Sequence, residues 1–189
     1  MADEEHIPFT RADNERLRGV SRMASLEIVL EKAARAYSEE EKLALAERKN
    51  CYYVQLIRKL TDAAILPGAR ETVIRLREAG VLTAVASSSK NARLFLTQVG
   101  LIDLFDAIID GTQITKSKPD PEVFLKAAEL LHENPQDCIV VEDADAGIAA
   151  AKSAGMYAVA VGNAHGGDLH YSGLDSVDLL ELAVGEEIK

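Results

Sequence analysis

The stretch that most constrains the fold is Cys138-Ile139-Val140-Val141-Glu142-Asp143. Its four apolar residues run without polar alternation, which suits a strand covered on both faces, as in a parallel α/β sheet. Glu142 and Asp143 follow at its carboxyl end, and a helical pattern opens at Ala146. The carboxyl edge of a parallel sheet is where such folds bind ligands. Two adjacent acids repel unless a cation balances them, and an all-oxygen pair suits a hard ion such as Mg²⁺. Taken alone, the pair also reads as two solvated acids at a helix start.

The rest of the chain decides between these readings. From Ala69 onward helices and short strands alternate. Helices are expected over Ala69–Ala79, Asn91–Val99, Asp120–Leu131 and Ala146–Ala154, with Gly80, Gly100 and Gly155 as stops. Asp120-Pro121 reads as an N-cap with proline at N1. Strands are expected over Leu82–Ala86, Ala107–Ile109, Cys138–Val141 and Tyr157–Val161, and a short last helix over Leu179–Ala183. Such repeats imply a Rossmann-like α/β core with a parallel, doubly wound sheet. The first sixty residues differ, since they hold no strand-like run. Leu26, Val29 and Leu30 mark one helix, and the capping box Ser38-Glu39-Glu40-Glu41 opens another reaching about Leu60. Pro67-Gly68 ends the link that follows. We therefore expect a small α-helical cap over residues 1–64 and the α/β core over 65–189.

Composition narrows the partners. With 31 acids against 21 bases, the formal charge is −10, which argues against a nucleic-acid or membrane surface. The acidic start Met1–Glu5 has no apolar stretch behind it. Cys51 and Cys138 are the only cysteines, far apart, so disulfide and zinc readings fail. A cytoplasmic monomer acting on a small molecule is the expectation.

Ser87-Ser88-Ser89-Lys90-Asn91 directly follows the first expected strand. Hydroxyls, backbone N–H groups at a helix start and a cation together make an anion site, although a capped helix shares the pattern. Lys118 stands just ahead of another helix, where a solvated lysine is the plain alternative. A hydroxyl turn, a lysine and an acid pair at the strand ends of one sheet are what phosphoryl transfer uses.

At these residues the chain resembles the haloacid dehalogenase superfamily. Ser87 stands where the second family motif places Ser or Thr, Lys118 where the third places Lys, and Glu142-Asp143 where the fourth places metal-binding acids. Gly19-Val20-Ser21-Arg22, Arg48-Lys49-Asn50 and Ser117-Lys118-Pro119 extend the likeness to the sugar-phosphate mutases of that superfamily, from Ala12 to Gly162. The resemblance implies that Ser87 and Lys118 hold the transferring phosphoryl group and that Glu142 and Asp143 bind Mg²⁺. It further implies that Arg22, Ser89, Lys90 and Asn91 hold a second phosphate, with Ser88 also among the substrate-binding residues. Lys49 would lie near the sugar, and Gly19, Val20 and Ser21 would shape its pocket. The reaction implied is interconversion of β-glucose 1-phosphate and glucose 6-phosphate through the 1,6-bisphosphate. Without the resemblance, Arg22 and Lys49 read as solvated helix-face charges.

One part of the family pattern has no counterpart. Its first motif, Asp-x-Asp at the end of the first core strand, supplies the nucleophile and the general acid/base. No apolar strand precedes Asp3 or Asp13, and Asp143-Ala144-Asp145 already belongs to the fourth motif. We expect a chain shortened at its N-terminus, inactive as written, with a sheet that lacks its first core strand and exposes two rows of backbone groups. A sugar-phosphate phosphatase and a non-catalytic phosphate-binding protein are the alternatives.

Overall fold

The computed structural model describes residues 1–185. Three helices occupy the first part of the chain: α1 (Arg11–Glu15), α2 (Arg22–Leu30) and α3 (Glu39–Ile57). Ser21 caps α2 by accepting from the Ala24 N–H at 3.2 Å. Ser38 and Glu41 form the expected capping box of α3. That helix stops at Ile57, short of Leu60, because Lys59 and Leu60 turn back onto the carbonyls of Leu56 and Ile57. Leu26, Leu45 and Ala46 form a small core here, with Met23, Leu30 and Tyr37 around it.

Beyond it come α4 (Ala69–Glu78), β1 (Ala84–Ala86), α5 (Ala92–Gln98), β2 (Ala107–Ile109), α6 (Glu122–Leu131), β3 (Ile139–Glu142), α7 (Asp145–Ser153), β4 (Tyr157–Val161), β5 (Leu169–Tyr171) and α8 (Leu179–Val184). All strand pairs are parallel. The order of the units is therefore as the sequence implies, with corrections at the edges. Leu82 lies outside β1 and is exposed. Asp120 does not stand at the N-cap of α6. Pro121 does, and Asp120 accepts from the Glu122 N–H at 3.0 Å. Cys138 precedes β3, and only Val140 of that strand is fully buried. β5 has no counterpart in the sequence reading. It is only three residues long, and it is held by backbone approach: Asp168 N–H donates to the Ala158 carbonyl at 2.7 Å, and a Cβ on Gly167 would stand 2.8 Å from Ala160 N.

The strands form two sheets, β1-β2 and β3-β4-β5. They share one core on the side of α6 and α7, where Val123, Phe124 and Ile148 pack on Ile109, Val140 and Ala158, with Ala84 and Ala86 at its margin. On the other side Leu96 of α5 and Val99 at its C-cap cover Ile108. Among the described residues no backbone hydrogen bond joins β1 to β3. The Tyr157 N–H donates to the Cys138 carbonyl and the Ser87 N–H to the Ile109 carbonyl. With the two-residue alternation of a strand, Val140 and Glu142 then direct their backbone groups to β4, and Val85 to β2. Those of Ala84, Ala86, Ile139 and Val141 turn toward the gap. Burial agrees, because β2 and most of β4 are buried whereas β1 and the rest of β3 are only half-buried.

Candidate active site

The carboxyl ends of β1, β2 and β3 meet beside this gap. After β1 the chain curls through residues 87–91: Ser87 Oγ accepts from the Ser89 N–H and Ser89 Oγ from the Asn91 N–H, both at 3.1 Å. The turn rests on Gly111, which follows β2 and whose N–H donates to the Ser89 carbonyl at 3.1 Å. A Cβ at Gly111 would run into the Ser88 carbonyl oxygen and stand 2.9 Å from Lys90 N, so only glycine allows this approach. The Ser88 hydroxyl is buried with no hydrogen-bond partner.

Lys118 is 7% exposed and comes from the loop between β2 and α6. Its ammonium donates to the Ala86 carbonyl at 3.1 Å, pairs with Glu142 Oε1, and lies 4.6 Å from the centre of the Phe124 ring. It thus links the end of β1 to the end of β3. Glu142 is held against Gly147 of α7, where any Cβ would overlap its carboxylate. Asp143 is paired with Arg18 at 3.0 Å.

The helical segment closes over these groups. Gly19 has φ +71, and a Cβ there would lie 3.5 Å from that of Ala144, so this loop sits directly on the acid-bearing turn. Arg22 opens α2 and donates to Glu47 Oε2 at 3.1 Å and to Asn50 Oδ1 at 2.8 Å. That same Asn50 oxygen accepts from Asn91 Nδ2 at 2.8 Å, tying the helical segment to the turn after β1. A cleft of about 350 Å³ lies between them, lined by Ser21, Arg22, Glu47, Ser88, Lys90 and Lys116 among others.

The structure therefore brings Ser87–Asn91, Lys118, Glu142 and Asp143 to one edge, with Gly19, Ser21 and Arg22 facing them. Arg22 is not the solvated charge its helix position suggested. Nor is Lys49, which is half-buried and donates to Ser25 Oγ at 2.6 Å. Burial, and then the Arg22 charge, push the Lys49 ammonium below its usual pKa. Val20 is half-buried in the loop before α2. Sequence reasoning missed Arg18, Glu47 and Gly111, whose roles come from contacts far apart in the chain.

Among the described residues no three His, Cys, Asp or Glu side chains gather as a metal cluster. Glu142 and Asp143 remain a two-carboxylate oxygen set. This fits Mg²⁺, which takes one or two carboxylates and completes its shell with water and phosphate oxygens. Each carboxylate carries a protein cation that such an ion would have to displace.

Parallel strands whose carboxyl ends carry a hydroxyl turn, a buried lysine and paired acids, under a helical segment, define a Rossmann-like α/β protein of the haloacid dehalogenase type. A family model described as haloacid dehalogenase-like hydrolase matches residues 1–155, and the chain belongs to that family. It is 47% identical over 164 residues to a β-phosphoglucomutase of Bacillus subtilis strain 168, covering 86% of this chain and 73% of that protein. It is 31% identical over 159 residues to a phosphorylated carbohydrates phosphatase of Thermotoga maritima, covering 82% and 71%. A crystal structure of β-phosphoglucomutase from Clostridium difficile matches with a TM-score of 0.87 and 39% identity, over 96% of this chain and 83% of that one. No helix among the described residues is long and apolar enough to cross a membrane.

Proposed function

We propose that this chain carries the sugar-phosphate site of a β-phosphoglucomutase-type phosphoryl transferase, acting on β-glucose 1-phosphate and glucose 6-phosphate through the 1,6-bisphosphate. The observation that carries the proposal is the convergence of Lys118 and the residue 87–91 turn at the strand ends with Arg22 poised across the cleft. In this reading residues 1–64 are the cap and 65–189 the core. Ser87 and Lys118 hold the phosphoryl group being moved, with Lys118 offsetting its charge. Ser88, Ser89, Lys90, Asn91 and Arg22 hold the other phosphate, where a guanidinium can grip two oxygens at once. Lys49, Gly19, Val20 and Ser21 bound the sugar. Glu142 and Asp143 would hold Mg²⁺, which supplies charge neutralisation at the transferring phosphate.

Covalent transfer also needs a nucleophile in line with phosphorus. Glu142 and Asp143 are bound to Lys118 and Arg18, and neither is presented for attack. In this reading the described residues at the strand ends supply the holding groups and not the attacking one, and the chain is expected to show no mutase turnover. The likeness to a carbohydrate phosphatase supports a second reading, hydrolysis on the same scaffold.

Ligand binding tests the site without turnover. A ligand at ten times its Kd stabilises the fold by about 1.4 kcal/mol. Glucose 1,6-bisphosphate should raise the melting temperature accordingly, and Arg22→Lys should weaken that effect. Melting that no glucose phosphate shifts would refute the site.

A further inference from the structure

The Arg22 guanidinium is already filled by groups of the chain itself. Glu47 Oε2 takes one terminal nitrogen at 3.1 Å and Asn50 Oδ1 takes the other at 2.8 Å. These two acceptors stand three residues apart on α3, hence one above the other on a single helix face. Asn50 Oδ1 also receives the Asn91 amide at 2.8 Å, so two donors expected to hold one phosphate converge on a neutral oxygen of the chain itself. The core side of this same seat is open, whereas Lys118 at the neighbouring seat is paired with Glu142. The Ser88 hydroxyl is buried and unpartnered, and Lys90 has no paired carboxylate among the described residues.

We propose that Glu47 and Asn50 stand in for a ligand phosphate at Arg22, so that this seat opens only to a ligand anchored elsewhere in the cleft. The proposal rests on the reading of Arg22 and Asn91 as phosphate holders. A lone phosphate gains Arg22 only by displacing an acceptor pair, one of which is a carboxylate of its own sign lining the cleft. A ligand with two phosphates on one small scaffold is different. Its first phosphate, once it has taken Lys118 from Glu142 and joined Ser87, makes the exchange at Arg22 intramolecular, with a high effective concentration. Glu47 then acts against the wrong ligand more than for the right one, as specificity often requires. It selects bisphosphates over inorganic phosphate.

Titration calorimetry on wild-type, Glu47→Gln, Asn50→Ala and Arg22→Lys chains tests this with two probes, inorganic phosphate and glucose 1,6-bisphosphate. Glu47→Gln keeps shape and removes charge. It should tighten inorganic phosphate by about two- to fivefold, the worth of an exposed ion pair, and change bisphosphate less, so the ratio between the probes falls. Asn50→Ala should tighten inorganic phosphate in the same direction, with a melt confirming that the chain remains folded. Bisphosphate binding that Arg22→Lys weakens, together with unchanged or weaker phosphate binding in Glu47→Gln, would overturn this inference while leaving the site intact. Failure of both probes to bind any of the four chains would overturn the site and the inference together.

Discussion

Gly111 shows how a single residue sets the geometry of the turn over residues 87–91. It has no side chain because the backbone of residues 88–90 lies where a Cβ would be. Gly111→Ala must push that turn away or strain it, and overpacking of this kind costs about 1–3 kcal/mol. The expected result is a lower urea midpoint with weakened bisphosphate binding. Unchanged binding would mean that the turn is not part of the seat. Glu122 illustrates a charge that serves the fold. Its carboxylate accepts from Lys126 and from the N–H groups of Thr115 and Lys116, which hold its pKa at about 2, down from the usual 4.5. A depressed carboxylate stabilises the fold above the unfolded value and loses that effect as the pH falls toward the folded one. The contribution of Glu122 should therefore fade between pH 4.5 and about 2. Glu122→Gln should flatten that part of the curve of urea midpoint against pH, and an unaltered acid limb would contradict the assignment.

At the scale of the elements, the gap between β1 and β3 makes a pattern that amide exchange can read. Amides of Ala84, Ala86, Ile139 and Val141 face the gap, whereas those of Val85, Val140 and Glu142 are bonded within their sheets. Local opening governs exchange, so the first group should exchange on the order of tenfold or more faster than the second. Uniform protection along both strands would show that the edges are covered. The order of these elements was legible because each helix ends in a glycine or begins in a cap, and each buried strand is a short apolar run. Leu169–Tyr171 was not, since three residues are too short a run to separate a strand from a loop, and it is held by the backbone at Gly167 and Asp168. The exposure of β3 was legible only through the family resemblance, because Cys138–Val141 by itself reads as covered on both faces. At the site, Ser87, Lys118, Glu142 and Asp143 follow strands and could be placed from sequence. Arg18 against Asp143, and Glu47 and Asn50 against Arg22, join positions whose meeting is set by how the helical segment docks. No spacing encodes that.

Taken as a whole molecule, the chain sets a cleft, proposed to hold phosphate, between a helical segment and a sheet divided in two. Its cations and hydroxyls are assembled, and both acids at the strand ends are already paired with lysine and arginine. Binding and transfer should therefore separate. Losing the nucleophile of a covalent mechanism costs several orders of magnitude in rate, and losing its proton-transfer partner as well adds little, because the two act as a unit. The most direct test is a single ³¹P NMR time course of the 189-residue chain with stoichiometric β-glucose 1,6-bisphosphate, β-glucose 1-phosphate and Mg²⁺. The account predicts shifted, broadened resonances for the bound bisphosphate and no glucose 6-phosphate above the protein-free rate. Sharp, unshifted bisphosphate signals would contradict the cleft as a phosphate site, and accumulating glucose 6-phosphate would contradict the absence of a nucleophile.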